Sequence, residues 1–363
     1  MRRKRLMASL KTRLIEQIRL EGPLTIADYM WACLFDPQEG YYATRPALGE
    51  EGDFITAPLV SQMFGERLAL WAMQAWQDMG APAKIRVLEI GPGDGTLMSD
   101  LLRTFRALPA FAQAVEIGLI EPSPPLRAVQ TARLGEVRHY DSLDHVPTDA
   151  PLLIIANEVL DCLPARQFQL TPDGWYERCV GLHEGELVIG LVPAPQDFIA
   201  PFAAEIGQVC EVSVAQNRLI EAVGALIHEA TGAALFIDYG RDRPEPGDTL
   251  QAIYRHEKTD PLAEPGAHDL TQWADFPSLA VTALNMGLGV SQITPQGVFL
   301  QRLGIIERFD ELRAKNPEDT DRLARQVHRL IAAEEMGELF KVLAIHYPRD
   351  LPLAGLAPIE IGA

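Results

Sequence analysis

Glycines at 91, 93 and 95 punctuate the stretch VLEIGPGDGTL, residues 87–97, directly after an apolar run. A strand that enters such a turn and leaves as a helix brings bare backbone close to a ligand. Glycine permits this because it accepts unusual dihedrals and carries no Cβ. The following helix aims unpaired N–H groups at the same point and favours a negative group there. So far any nucleotide would fit. The dinucleotide fingerprint GxGxxG, however, needs its third glycine one residue later, where this chain has Thr96. Glu89, just before the first glycine, would also repel a pyrophosphate. Its carboxylate suits a cofactor carrying an ammonium and a sulfonium. S-adenosylmethionine is such a cofactor, and its own carboxylate can face the helix N-terminus.

Other polar residues fall where that cofactor needs them. Glu121 ends the run AVEIGLIEP. An acidic residue at the end of the second strand of a Rossmann-like sheet accepts hydrogen bonds from the ribose hydroxyls. Asp141 follows the third strand, close to where an adenine edge would lie. Asn157 and Glu158 end the fourth, PLLIIANE. Ligands of open α/β sheets bind beyond the carboxyl ends of the strands, near the point where strand order reverses. These strand ends therefore aim at one crevice. No metal is expected. Cys33, Cys162, Cys179 and Cys210 form no CxxC pair and no metal spacing with histidine, and read as free thiols of a reducing compartment.

The elements that must position these residues are legible in outline. Residues 11–35 read as helices, interrupted at GPLT and restarting at Thr25. DPQEGYYATRPALGEEGDFITAPLVS is rich in Gly, Pro and charge and reads as a long loop, a feature often functional in compact proteins. SQMFGERLALWAMQAWQDMG reads as a helix up to Gly80. From residue 85 short apolar strands alternate with helices, which implies an α/β fold: a parallel, Rossmann-like sheet with helices on both faces. The alternation breaks at ARQFQLTPDGWYERCVGLHEGELVIGLV, which reads as antiparallel strands turning at Pro172-Asp173-Gly174 and at Glu184-Gly185. Residues 211–231 read as a helix, AALFIDYG as a buried strand and PSLAVTALNMGLG as a helix. GVSQIT and ELFKVLAIHY are expected to be the last two strands. The expected division is an N-terminal helical region with a cofactor-covering loop at 1–80, then one domain at 81–363 with an insertion at about 165–230.

The chain has 363 residues and a net charge of −18. That balance argues against a nucleic-acid binder, which needs a basic face. It fits a cationic ligand or a basic protein segment, or simple solubility. No apolar run is long enough to span a membrane. The opening MRRKRLMASLKTRL is basic but lacks the apolar core of a secretory signal, and reads as the start of an ordinary first helix. Apolar faces outside the sheet would permit a homodimer.

Across nearly its whole length the chain resembles the MidA-like family. The resemblance is carried in order by GPLTIADYM, GYYATRPALGEEGDFITAPLVSQMFGE, VLEIGPGDGTL, ANEVLDCLP, FIDYG, DLTQWADF, QGVFLQRLGI and MGELFKVL. It implies a class I S-adenosylmethionine-dependent methyltransferase fold and the activity of a protein arginine methyltransferase. The implied partner is a core subunit of respiratory complex I, and the implied setting the mitochondrial matrix in a eukaryote or the cytoplasm in a bacterium. Gly91, Gly93 and Glu121 match cofactor-contacting positions, and Gly95 is grouped with them as a cofactor-binding glycine. The segment Gly52-Asp53-Phe54-Ile55-Thr56-Ala57-Pro58 matches one expected near the cofactor pocket, and Asn157-Glu158 matches the acceptor side. The chain departs from the family at Val159 and Leu160, where two aromatics are common, and at Gln272-Trp273-Ala274 in DLTQWADF.

An arginine acceptor demands carboxylates, because its guanidinium stays charged and pairs with planar acids. Glu158 is the first candidate for that clamp. Asp161, Asp53 and Asp238 compete for the second place. Among the histidines only His268, in the PGAHDLT loop, is a candidate proton acceptor. Tyr41, Tyr42 and Tyr239 could line an acceptor channel, with core packing the simpler expectation. Two other readings remain: a methyltransferase for a small cationic acceptor, and a non-catalytic assembly protein that keeps the cofactor fold.

Overall fold

The computed structural model describes residues 8–44, 56–254 and 257–359. Its central sheet begins with strands β1 (Ile85–Ile90), β2 (Val115–Ile120), β3 (Arg138–Tyr140) and β4 (Leu152–Asn157). The antiparallel segment supplies β5 (Arg166–Thr171), β6 (Gly174–His183), β7 (Glu186–Pro193) and β8 (Val209–Val212). Two long strands complete the central sheet: β9 (Gly232–Arg241) and β10 (Phe340–Tyr347). The order across that sheet is Gly289–Val290, β10, β9, β4, β1, β2, β3. β1 is parallel to both β2 and β4, β3 to β2 and β9 to β4. β10 runs antiparallel to β9, from Tyr239 opposite Phe340 to Gly232 opposite Tyr347.

Helices cover both faces, so the strands are apolar at most positions, with Arg86 and Glu89 the buried exceptions on β1. All six residues of β1 are buried. Val87 packs with Leu119, Leu153 and Ile155 towards helices α3 (Gln62–Asp78) and α4 (Thr96–Phe105). Leu88 packs with Ile154 and Ala156 towards α6 (Val214–Ala230) and α7 (Phe276–Asn285). Helix α5 (Pro124–Leu134) connects β2 to β3. The strand order reverses between β1 and β4, which opens a crevice at their carboxyl ends.

The N-terminal helices and the antiparallel strands share a third core. Helix α1 (Leu10–Glu21) buries Leu10, Leu14 and Ile18, and α2 (Ile26–Phe35) buries Ile26, Tyr29, Met30, Cys33 and Leu34. They pack on Val180 and Leu187 of the β6–β7 hairpin, while Leu24 and Thr25 pair with Val180 and Cys179. That hairpin turns tightly at Glu184 and Gly185, at φ 51° and 90°, the two left-handed positions that a two-residue turn requires. Thr25 starts α2 by accepting the Asp28 N–H at 3.0 Å.

Three expectations change. The helix expected over 211–231 begins at Val214, capped by Ser213, and the residues before it form β8 against β5. GVSQIT is not one strand. Gly289–Val290 and Thr294–Pro295 pair separately with β10, and Ser291 Oγ accepts the Ala344 N–H between them. Residues 296–331, to which the sequence reading assigns no element, form α8 (Gln296–Arg302), α9 (Ile305–Lys315) and α10 (Thr320–Ile331). Their Phe299, Leu300, Ile305, Leu323, Val327 and Leu330 extend the core on the α3 side. No helix among the described residues is long and apolar enough to cross a membrane.

One buried ion pair joins the antiparallel sheet to the central one. Glu211 on β8 meets Arg241, at the end of β9, at 2.6 Å, with both side chains at most 4% exposed. Gln167 and the Thr249 N–H satisfy the same carboxylate at 2.9 Å each, and the Thr249 hydroxyl adds a bond at 2.7 Å. Glu211→Ala would strand the Arg241 charge. It should cost about 3–5 kcal/mol of unfolding free energy in urea. A loss below about 1 kcal/mol would mean that water reaches Arg241 and that the pair is not a structural tie.

Candidate active site

The turn after β1 is built as its glycines require. Gly91 and Gly93 sit at φ 63° and 55°, in the left-handed region. A Cβ on Gly91 would lie 2.9 Å from Val159 Cγ2, so the loop after β4 packs directly on the turn. Asp94, one residue before the Gly95 N-cap, accepts the Thr96 N–H at the start of α4 at 2.9 Å, and Arg133 pairs with Asp94 at 3.0 Å. Gln130, fully buried on α5, donates to Gly93 O at 2.7 Å and to Glu121 Oε2 at 3.3 Å. The Ser123 N–H donates to Glu121 Oε1 at 2.8 Å. Gln130 thus locks the turn to the acid at the end of β2. No motif or spacing in the sequence singles it out.

A cavity of about 770 Å³ opens at the crevice. Thr56, Glu89, Gly91, Gly93, Glu121, Asp141, Asn157, Glu158 and Asp161 all line it. Gly95 does not. It precedes α4 at φ 82°, and a Cβ there would meet Leu134 and Gln130, so its work is to form the turn. Asp53 lies outside the described residues. His268 is buried in its loop and does not line the cavity. Tyr41, Tyr42 and Tyr239 are not simply core, for all three line the cavity wall. Asp141 lies at the rim, largely exposed and paired with Arg127.

The lining includes seven carboxylates, Glu89, Asp94, Glu121, Asp141, Glu158, Asp161 and Asp269, and among the described residues no Lys, Arg or His. Burial pushes Glu89 up to about 8, with Asp94 adding to the rise and the Met98 amide partly offsetting it. Burial likewise raises Glu121, offset by the Ser123 amide and Gln130. Glu158 is pushed up to about 7, first by burial. The Ala57 N–H opposes that shift, nearby Asp161 adds to it, and Asn157 and Arg329 oppose it further.

Glu158 is held unusually tightly for a loop residue. Its φ of 54° is left-handed, which costs a non-glycine residue about 1–3 kcal/mol. Its N–H donates to Ile237 O at 2.8 Å. Its Oε1 accepts from the Ala57 N–H and from Asn157 Nδ2, each at 3.0 Å. Asp161 accepts the Tyr239 hydroxyl at 2.7 Å. Asp238, fully buried beneath, accepts the N–H groups of Leu160 at 2.8 Å, Asp161 at 3.2 Å and Tyr239 at 2.9 Å. It fixes the loop from below and does not line the cavity.

Residues 67–294 match the family described as S-adenosyl-L-methionine-dependent methyltransferase. The chain belongs to this family. It is similar to protein arginine methyltransferase NDUFAF7, mitochondrial, of Rattus norvegicus, at 33% identity over 92% of this chain and 83% of that one. The Homo sapiens protein of the same name is 32% identical over 92% of this chain and 82% of its own length. A superfamily member from Burkholderia thailandensis, solved bound to S-adenosyl-homocysteine, shares 30% identity and a TM-score of 0.84. That comparison covers 95% of this chain and 94% of the other.

The residues present fit the family's cofactor. Among the described residues, Glu89 Oε2 and Asn157 Oδ1 are buried acceptors without a hydrogen-bond partner. Such atoms cost free energy until a donor arrives, and an ammonium supplies donors. Gly91 leaves room for backbone approach, and Glu121 is placed to take hydroxyls. Glu121→Ala should weaken S-adenosylmethionine binding by about 1.5–3 kcal/mol in calorimetry, the scale of hydrogen bonds to a charged group. NAD, as the control, should not bind. An unchanged affinity would remove Glu121 from the ribose contacts.

Proposed function

We propose that this methyltransferase acts on arginine in a protein. The observation that carries this reading is the cavity wall, with seven carboxylates and no basic side chain among the described residues. A guanidinium is the one protein side chain that stays charged at all working pH values and binds carboxylates through two parallel hydrogen bonds. The naming of the relatives as arginine methyltransferases supports the same acceptor. A core subunit of respiratory complex I is the protein substrate that the MidA-like resemblance suggests. The matrix would be the setting in a eukaryote and the cytoplasm in a bacterium.

In this reading Glu158 and Asp161 form the clamp. S-adenosylmethionine supplies a methyl group already activated by its sulfonium. The chain's own task is then to position the acceptor, exclude water and accept one proton. Glu158 presents one oxygen to the Ala57 and Asn157 donors and keeps Oε2 for the acceptor. Asp161, oriented by Tyr239, supplies the second carboxylate. It is favoured over Asp238, whose oxygens are committed to three backbone amides. As the nucleophilic nitrogen gains its methyl group it must shed a proton. A carboxylate raised towards neutrality is a better proton acceptor than an ordinary one. Val159 and Leu160 take no polar part: the first packs on Gly91 and the second is buried.

The test is transfer of tritiated methyl from S-adenosylmethionine into lysate protein, with methyl-arginine read after hydrolysis. Label confined to small metabolites would contradict the protein acceptor. Glu158→Gln should lower kcat by about 10²-fold or more, the scale for a positioned acid–base group, and leave S-adenosylmethionine affinity intact. Because the free carboxyl sits near 7, kcat/KM for the wild type should rise with pH up to about 7 and then level. A flat profile between pH 5 and 8 would exclude Glu158 as the group that must be ionised.

A further inference from the structure

The cavity accounts for one acceptor side chain and leaves the polypeptide around it without a seat. The surface of α2 supplies one. Trp31 is 55% exposed and is the only aromatic among the exposed large apolar side chains of the described residues. Its ring lies 4.7 Å from that of Phe35, one helical turn on. Phe35 stacks on Tyr42 at 5.7 Å, and Tyr42 meets Tyr41 edge-on at 5.2 Å. Phe35, Tyr42 and Tyr41 line the cavity. The rings thus run without a break from solvent into the wall of the site.

Core packing explains the inner three rings but not the outer one. A tryptophan left half in water beside an exposed carboxylate marks contact with a partner better than it serves stability. Asp28 lies three residues before Trp31 on the same exposed face, held by the Thr25 hydroxyl at 2.7 Å. Arg166, whose charge reaches Asp28, is itself clamped by Glu177 at 2.7 and 2.6 Å. An electron-rich indole face beside a carboxylate, on a chain of net charge −18, favours a cation over an apolar or acidic group.

We propose that Trp31 is an outer docking platform for a second cationic side chain, Arg or Lys, in a polypeptide whose acceptor arginine enters the cavity. The proposal rests on the arginine reading above and extends it from a residue to a segment. Specificity then lies partly on α2, in the helical region that precedes the methyltransferase sheet.

The experiment uses the full chain loaded with S-adenosyl-homocysteine for binding and with S-adenosylmethionine for turnover. The probes are a peptide of alternating Gly and Arg, and N-acetyl-arginine amide. Trp31→Ala should weaken binding of the peptide and raise its KM about two- to five-fold, the range of an exposed cation–π contact, with kcat unchanged. Trp31→Phe should recover part of the loss. Neither variant should alter the single-residue probe or the affinity for S-adenosylmethionine, which also reports that the fold is intact. Peptide binding as tight in Trp31→Ala as in wild type would overturn the proposal, as would an equal loss for the single-residue probe. Trp31-dependent peptide binding without methyl transfer would sink the arginine acceptor and leave the platform standing. Failure of the wild type to bind the cationic peptide at all would remove the platform.

Discussion

The constraint on which the site depends is the cost of keeping acids out of water without cations beside them. An ionised carboxylate in such a place loses several kcal/mol of hydration unless it takes up a proton or gains donors. Elsewhere the chain meets this cost in the ordinary way. Glu211 has Arg241, and Glu66 has Arg308 at 2.6 Å. Among the described residues the cavity lining holds no basic side chain, and Asp94 and Asp141 at its edge have arginine partners, Arg133 and Arg127. Glu89, Glu121 and Glu158 have backbone and side-chain amides, with Arg127 near Glu121 and Arg329 near Glu158, and these offset burial only in part. The result is a pocket whose carboxyls are pushed up, Glu89 to about 8 and Glu158 to about 7. Acids raised by burial in this way suit the sulfonium and ammonium of the family's cofactor.

The rest of the fold serves to keep those acids at their posts. Reversal of strand order between β1 and β4 gathers four strand ends at one crevice. Gln130 ties the glycine turn to Glu121, and Val159 packs the loop after β4 against Gly91. Asp238, itself raised by burial beside Asp161 and Glu158, takes three amides and sets the loop that carries Asp161. The N-terminal helices reach the cavity wall through Phe35 at the end of α2, with Tyr41 and Tyr42 following it. They lean on the antiparallel hairpin, which the Glu211–Arg241 pair binds back to β9. Gln272 extends the tie, for its N–H donates to Asp161 O at 2.9 Å and its side chain takes the Ala165 N–H at 2.7 Å. Packing at the insertion therefore bears on the position of Asp161 in the cavity wall.

What was legible in the sequence was whatever a short local pattern dictates. Glycines at alternate positions after an apolar run fix a strand–turn–helix, and acids at successive strand ends follow from the sheet that the alternation implies. The positions of Glu89, Glu121, Asn157 and Glu158 at one cavity wall follow from that pattern. What was hidden depends on distant partners. Gln130 looks like any helical glutamine until α5 packs on the turn. The Tyr239 hydroxyl finds Asp161 across 78 positions of chain. The strand at Val209–Val212 is too short to show a period, and the helices over 296–331 bury their apolar residues only because the α3 face is there to receive them. Gly95, grouped with the ligand glycines by its spacing, turned out to face α5. His268 attracted notice as a histidine, but its loop folds it away from the cavity.

The most direct test is to count protons. S-adenosylmethionine binding should be followed by calorimetry at pH 7 in buffers of differing ionisation enthalpy. With Glu89 raised to about 8 in the free protein, arrival of the ammonium should expel most of that proton. The account predicts release of about one proton per cofactor bound, reduced sharply in Glu89→Gln. Binding with no net proton release in wild type would mean that the carboxylates are already ionised in the empty pocket, and acids raised by burial would be the wrong description of this site.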